Sequence, residues 1–123
     1  MFDTRECLEN KCPIQFTLDL IGNKWSILIL RELFSGDRRT HQFLDALPGI
    51  SSKTLTIRLR ELEAHGLVQR KVYPEIPPRV EYSLTEKGRE IQPVMSALYD
   101  VGRQWLNQEA CDCPLQMSVA SQM

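Results

Sequence analysis

Four cysteines are the side chains in this 123-residue chain most able to do covalent chemistry, and they lie near its two ends: Cys7, Cys12, Cys111 and Cys113. Cys12 is followed by Pro13, which suits the first position of a helix, so we expect Cys12 to be the N-cap of a short helix. The helix dipole and the free backbone N–H groups at such a position favour a thiolate. We therefore predict that Cys12 can be oxidised or alkylated, with Cys7, Cys111 or Cys113 as the resolving thiol.

Three interpretations of these cysteines stay open. The first is the redox switch just described. The second is a zinc site made of all four thiolates. Zinc-binding pairs are usually separated by about two to four residues, whereas four residues separate Cys7 from Cys12, the upper limit, and only one separates Cys111 from Cys113. The third is that Cys12 is a small buried side chain and the other cysteines are inert. Because the spacing does not favour zinc, we predict no metal ion and no other cofactor.

A second set of polar side chains could bind a ligand without reacting with it. Leu55, Leu59 and Leu62 recur with the period of a helix, so one face of this segment should pack inward. Ser51 can cap the helix and Gly66 can end it. The opposite face carries Ser52, Lys53, Thr56, Ile57 and Arg60. Basic and hydroxyl side chains can bind base edges or phosphates, and isoleucine can contact a thymine methyl, so this face could meet a DNA groove.

The residues before this helix complete a helix-turn-helix pattern. A first helix is predicted from about His41 to Leu47, and Pro48 and Gly49 then turn the chain toward Ser51. Arg38 and Arg39 lie at the mouth of this first helix as candidate phosphate contacts. The alternative is that both arginines are solvated surface charges.

A predicted hairpin follows the second helix directly. The runs from Val68 to Tyr73 and from Val80 to Leu84 are rich in β-branched and aromatic residues, which is typical of strands. They flank a tip that contains Pro74, Pro77 and Pro78. A helix-turn-helix followed by a hairpin is the winged-helix arrangement, in which Arg79 and the tip could reach along a DNA backbone or into a minor groove.

Composition limits the class of protein. With 42% hydrophobic and 25% charged residues in 123 positions, the chain is typical of one soluble domain. No apolar run approaches the ~20 residues that a membrane helix needs, and the polar, acidic start is unlike a secretory signal. We therefore expect a cytoplasmic protein with no membrane partner, in a compartment where structural disulfides are rare.

The net charge of −1 conceals an uneven distribution. Between Arg38 and Arg79, eight lysines and arginines stand against four acids, a net charge of +4, while the remainder of the chain carries −5. A positive face on an acidic body would orient the protein toward phosphates, with an affinity that falls as salt rises.

Helices are also predicted on both sides of the motif. A short helix opens at Pro13, and the apolar run from Lys24 to Phe34 predicts a central buried helix. Thr85 can cap a long helix from Glu86 to about Leu106, in which Pro93 could cause a bend or a late start.

The long helix carries an apolar stripe that so small a chain cannot cover fully, so we expect a second copy of the chain to pack on it. Symmetric pairing would set two recognition helices about one DNA turn apart, on the order of 34 Å. The predicted fold class is therefore α+β, mainly α: a winged helix-turn-helix domain over residues 13-106 with N- and C-terminal dimerisation helices, a preceding arm of residues 1-12 and a tail of residues 107-123.

Three separated signatures resemble the HxlR family of bacterial winged-helix transcriptional regulators, whose fold is related to that of MarR proteins. They are Cys12-Pro13-Ile14, the turn from Ile21-Gly22 to Trp25, and the wing from Tyr73 to Tyr82. The resemblance implies a homodimer and DNA binding through the second helix of the motif. The residues that it assigns to DNA are Ser51, Ser52, Lys53, Thr54, Thr56 and Arg60, with Arg79 from the wing.

Two further points come from the resemblance. Thr40, a candidate DNA contact beside Arg39, stands where the family often has Phe, which is a departure in the packing of this turn. Several members sense oxidants or electrophiles through a cysteine near the position of Cys12, which implies such a small effector for this chain.

The expected function is thus a dimeric, sequence-specific transcriptional regulator that binds a palindromic operator in double-stranded DNA through the 51-65 helix and the 74-79 wing, switched by cysteine oxidation or electrophile modification. The alternatives are a winged-helix protein-interaction module that binds no DNA, and a regulator switched by a ligand that does not react with thiols. Catalysis is not expected, because neither His41 nor His65 has a nucleophile or a metal-ligand partner at a suitable spacing.

Overall fold

The computed structural model describes residues 12 to 106, which form six helices and one hairpin. In chain order these are α1 (Pro13–Ile21), α2 (Lys24–Phe34), α3 (Thr40–Ala46), α4 (Ser52–Ala64), β1 (Val68–Tyr73), β2 (Arg79–Leu84), α5 (Glu86–Arg89) and α6 (Gln92–Leu106). The predicted fold class, a mainly helical winged helix-turn-helix, is confirmed. The cysteines Cys7, Cys111 and Cys113, the arm and the tail lie outside the described residues.

α2 is the central helix of the domain. It buries Ser26, Ile29, Leu30 and Leu33 and packs against α3, α4 and β2. The helix begins sharply because the side chain of Asn23 accepts a hydrogen bond from the Trp25 N–H at 2.9 Å. The prediction of a buried central helix is therefore correct for one face, while Trp25, Ile27 and Leu28 are half-buried at its edge.

α3 and α4 form the helix-turn-helix. Gly49, at φ +95°, supplies the left-handed backbone in the turn between them, and Gly66, at φ +78°, ends the segment after α4. The apolar residues of both helices and of the turn share one core: Phe43, Leu47, Ile50, Leu55, Leu59 and Leu62. The predicted inward face of α4 is confirmed, since Leu55, Leu59 and Leu62 are all buried.

β1 and β2 pair antiparallel, with Val68 opposite Leu84 and Tyr73 opposite Arg79. Both Val68 and Leu84 are buried, so the base of the hairpin belongs to the core while the other end projects from it. β2 begins at Arg79, one residue earlier than predicted. Arg38, just before α3, joins β2 through an isolated bridge to Tyr82 and so connects the wing to the helix-turn-helix.

The single helix predicted from Glu86 to Leu106 is two helices. Thr85 caps the first turn as expected, because its hydroxyl accepts the Gly88 N–H at 3.0 Å. The helix is then interrupted between Arg89 and Gln92. Pro93 explains the break, since it has no N–H for the Arg89 carbonyl and its ring tolerates only the first turn of a helix.

The two outer helices, α1 and α6, leave much apolar surface uncovered. Ile14, Phe16 and Leu18 of α1 are exposed, as are Leu98 and Trp105 of α6, the last at 80%. Among the helices of residues 12 to 106, none combines the length and apolar character needed to cross a membrane.

Candidate nucleic-acid interface

The outward face of α4 carries polar side chains that the protein itself does not cover. Leu55, Leu59 and Leu62 take the inward positions, so the helical period turns the remaining side chains to solvent. Five of them are exposed: Ser52, Lys53, Thr56, Ile57 and Arg60. The structure thus brings these predicted residues together on one accessible helix surface.

The hydroxyl groups near the start of α4 are partly engaged by the helix. The Ser51 hydroxyl accepts the Thr54 N–H at 3.0 Å and donates to Thr54 Oγ1 at 3.0 Å. Thr56 donates its hydroxyl to the Ser52 carbonyl at 2.9 Å. Ser51 and Thr54 therefore define where α4 begins, and the Thr56 oxygen keeps its acceptor capacity for an outside donor.

The cations of α4 differ in how they are bound. Arg58 forms an ion pair with Glu61 at 2.8 Å and is half-buried, so it is oriented along the helix. Within residues 12 to 106, neither Lys53 nor Arg60 forms an ion pair, and both are exposed. Their charges are thus available to an anionic ligand.

Arg38 and Arg39 lie between α2 and α3 but point to different partners. The Arg38 guanidinium donates to the Asp37 carbonyl at 3.1 Å and to the Ser35 hydroxyl at 3.0 Å, so its own turn holds it. The Arg39 backbone N–H donates to Gln42 Oε1 at 2.8 Å, which leaves the Arg39 guanidinium outside this cap. Arg39 lines an open cleft together with the exposed Thr40.

This cleft, of about 590 Å³, separates the start of α3 from the wing. Arg39, Thr40, His41 and Leu44 form one side, and the residues from Glu75 to Val80 form the other. Among the described residues that line it, Arg39 and Arg79 carry positive charge and Glu75 is the single carboxylate. A phosphate would fit the charge of such a cleft, provided that Glu75 moves aside.

Arg79 lies at the start of β2 and is held by the wing itself. Its guanidinium carbon is 4.0 Å from the centroid of the Tyr73 ring, and its Nη2 is 3.1 Å from Glu75 Oε2. Sequence reasoning proposed Arg79 as a DNA contact but missed Tyr73, Glu75 and Glu81 as its neighbours. The signal was present in the hairpin register, which places Tyr73 directly opposite Arg79.

Cys12 and His65, two of the residues singled out from the sequence, do not line this cleft, whereas His41 does. Cys12 is the half-buried N-cap of α1, with φ −66° and ψ 127°. His65 caps the end of α4, and its carbonyl accepts a hydrogen bond from the Lys87 ammonium at 2.9 Å. Within the described part of the chain, no three His, Cys, Asp or Glu side chains are grouped closely enough to hold a metal ion.

A second surface, entirely apolar in its lining side chains except for Thr17, lies on the outer helices. It is a groove of about 560 Å³ formed by α1, the start of α6 and Ile27 of α2. Ile14 and Leu18 line it from α1, and Val94 and Leu98 line it from α6. Pro13, the residue that follows Cys12, also lines this groove.

A helical core with a helix-turn-helix, an exposed polar second helix and an adjoining hairpin defines a winged helix-turn-helix protein. The model of the HxlR-like helix-turn-helix family matches residues 20–110. The chain belongs to this family, and it is a transcriptional regulator with the helix-turn-helix fold.

The similar proteins agree with this assignment. An HTH-type transcriptional regulator of Synechocystis, sll1512, is 68% identical over 104 residues, which cover 85% of this chain and 77% of that protein. The structure of the redox regulator HypR in its oxidized form has a TM-score of 0.73 at 44% identity, over 76% of this chain and 96% of HypR. Reduced YodB from Bacillus subtilis has a TM-score of 0.68 at 38% identity, over 77% of this chain and 94% of YodB.

Proposed function

We propose that the protein is a dimeric, sequence-specific DNA-binding regulator that recognises a palindromic operator through the 51-65 helix and the 74-79 wing. The observation that carries this proposal is the exposed face of α4. Lys53 and Arg60 are unpaired within the described chain and share that face with Thr56 and Ile57. These side-chain types match phosphate oxygens, base edges and the thymine methyl group.

Charge supports the same orientation on DNA. The segment from Arg38 to Arg79 has a net charge of +4, and the rest of the chain has −5. The acidic remainder would be repelled by phosphates, so the helix-turn-helix and the wing would approach the duplex first. Arg39 and Arg79 add two further cations on opposite sides of the cleft between α3 and the wing.

The uncovered apolar surface of α1 and α6 supports a homodimer. Leu18 and Leu98 are 58% and 53% exposed although both line the apolar groove. Apolar surface of this kind is stabilised when a second molecule covers it. A symmetric pair also supplies the two recognition helices that a palindromic site requires.

A thiol switch is the regulation that we propose for this dimer. Cys12 begins α1, whose Ile14 and Leu18 line the groove, so modification of Cys12 would act where the subunits meet. Two similar proteins have structures in different redox states: HypR has an oxidized form and a reduced form, and YodB has a reduced form and a diamide-treated form. The effector would be a small oxidant or electrophile, acting in the cytoplasm, where the chromosome lies.

The test is a fluorescence anisotropy titration with the duplex from upstream of the protein's own gene. Lys53→Ala and Arg60→Ala should each weaken binding by about tenfold and lower the salt slope by about one. Arg89→Ala, an exposed arginine of α5 outside the motif, is the matched control and should bind like the wild type. If both α4 variants bind like the control, the assigned DNA-binding face is wrong.

The alternative is a winged-helix module that docks another protein with the same helix. The two proposals differ in one result. Absence of any binding to the duplex at low salt, both with reductant and with diamide, would favour the protein-docking module.

A further inference from the structure

One face of the hairpin combines two cations, an aromatic ring and a carboxylate. The antiparallel register sets Tyr73 opposite Arg79 and Lys71 opposite Glu81, so these four side chains share a face. The Lys71 ammonium lies 5.2 Å and the Arg79 guanidinium carbon 4.0 Å from the Tyr73 ring centroid. Both cations are therefore held against the same ring.

Two acidic side chains, Glu75 and Glu81, lie beside the guanidinium of Arg79. Nη2 of Arg79 is 3.1 Å from Glu75 Oε2, which is hydrogen-bond distance. Nε of Arg79 is shielded from solvent and lies 3.8 Å from Glu81 Oε2, which is too long for a hydrogen bond. Glu75 thus takes a position in which a phosphate oxygen would otherwise bind the arginine, because carboxylate and phosphate accept from the same N–H groups.

Glu75 and Glu81 differ in how easily each can move away from Arg79. The Glu75 side chain is 51% exposed and lies on the loop, whereas Glu81 is 25% exposed and fixed in β2. An exposed ion pair shifts an equilibrium by only about fivefold or less. A phosphate can therefore displace Glu75 from Arg79 while Tyr73 and Glu81 keep the guanidinium in place.

We infer that Glu75 is an internal substitute for a DNA phosphate, which pre-aligns Arg79 on Tyr73 and competes with the duplex for it. This inference rests on the proposed DNA binding. It assigns to Glu75 the role of weakening that binding. Among residues 12 to 106, Glu75 is the only acid lining the cleft in which Arg39 and Arg79 would meet the DNA backbone. The contact lowers the affinity for any duplex, because backbone contacts carry no sequence information.

The test compares Glu75→Gln with a matched control in anisotropy titrations against the operator and an unrelated duplex. Glu90→Gln removes the same charge from an exposed position beyond α5. Glu75→Gln should bind both duplexes about threefold more tightly at low salt, whereas Glu90→Gln should bind like the wild type. Equal behaviour of the two glutamine variants would overturn the inference.

A second comparison separates a specific contact from general repulsion. In an Arg79→Ala background, Glu75→Gln should give no gain, because the competed cation is absent. A gain that persists without Arg79 would show that Glu75 acts by long-range repulsion and would also overturn the inference. If the wild type binds no duplex at all, the proposed DNA binding itself fails and the inference falls with it, a result distinct from both of these.

Discussion

Arg38 and Tyr82 exchange two backbone hydrogen bonds, Arg38 N–H to the Tyr82 carbonyl at 3.0 Å and Tyr82 N–H to the Arg38 carbonyl at 2.8 Å. The pairing adds a short third segment to the two-stranded wing. Tyr82 also packs its ring edge-on against Phe43 of α3, with the centroids 6.3 Å apart. These two contacts attach the wing to the helix-turn-helix and hold them as one unit.

Ser51→Ala should lower the free energy of unfolding by about 1 kcal/mol, because the Ser51 hydroxyl accepts the Thr54 N–H at the start of α4. Ser52→Ala is the matched control, since that exposed side chain does not cap the helix, and its effect should stay within about 0.5 kcal/mol. Urea denaturation at one fixed protein concentration measures both. Equal destabilisation by the two substitutions would refute the role of the cap.

Gly88→Ala should destabilise the fold by about 1 to 3 kcal/mol, because an added Cβ would clash with the Leu67 carbonyl oxygen and displace α5 from the core. Gly102→Ala has no heavy atom within 4 Å of the new Cβ and should stabilise α6 by up to about 1 kcal/mol through helix propensity. Thermal unfolding separates the two. A neutral Gly88→Ala would mean that α5 does not pack as described.

Leu98→Glu should convert the proposed dimer to a monomer. Leu98 lines the apolar groove of α1 and α6 and is half exposed in the single chain. Losing the burial of one leucine costs about 1.5 to 3 kcal/mol, and a symmetric interface would lose it twice. Sedimentation equilibrium would then give a dissociation constant more than about 100-fold higher.

Gln104→Glu is the control for that experiment, since it places the same charge on an exposed position of the same helix. Gln104→Glu should leave the dimer mass measured by sedimentation equilibrium unchanged. A wild-type chain that sediments as a monomer, or a Leu98→Glu variant that still dimerises, would contradict the assignment of this surface.

Cys12→Ser should abolish any change in DNA affinity caused by diamide. Serine is itself a good N-cap, so α1 should begin at the same place and the loss can be assigned to the thiol. Anisotropy before and after diamide, and again after a reductant, measures the response. An undiminished response in the variant would remove Cys12 from the mechanism and point to the cysteines outside residues 12 to 106.

Much of the local structure is predictable because it depends on neighbours in the chain. The caps at Ser51 and Thr85 and the stop at Gly66 follow from backbone groups within a few residues. Near Pro93 the sequence predicts a bend or a late start, whereas the structure has two separate helices, with Gly88 of the first packed against Leu67. That contact joins residues that no helical period relates.

The sequence alone determined which residues of α4 face inward and which face outward, because hydrophobic periodicity is a local property. It also determined the excess of positive charge between Arg38 and Arg79. Only the tertiary structure decided that Arg38 is bound to its own turn and to Tyr82, and that Arg79 lies on Tyr73 beside Glu75. Those partners depend on hairpin register and on how distant elements pack. No single segment of the sequence therefore predicts them.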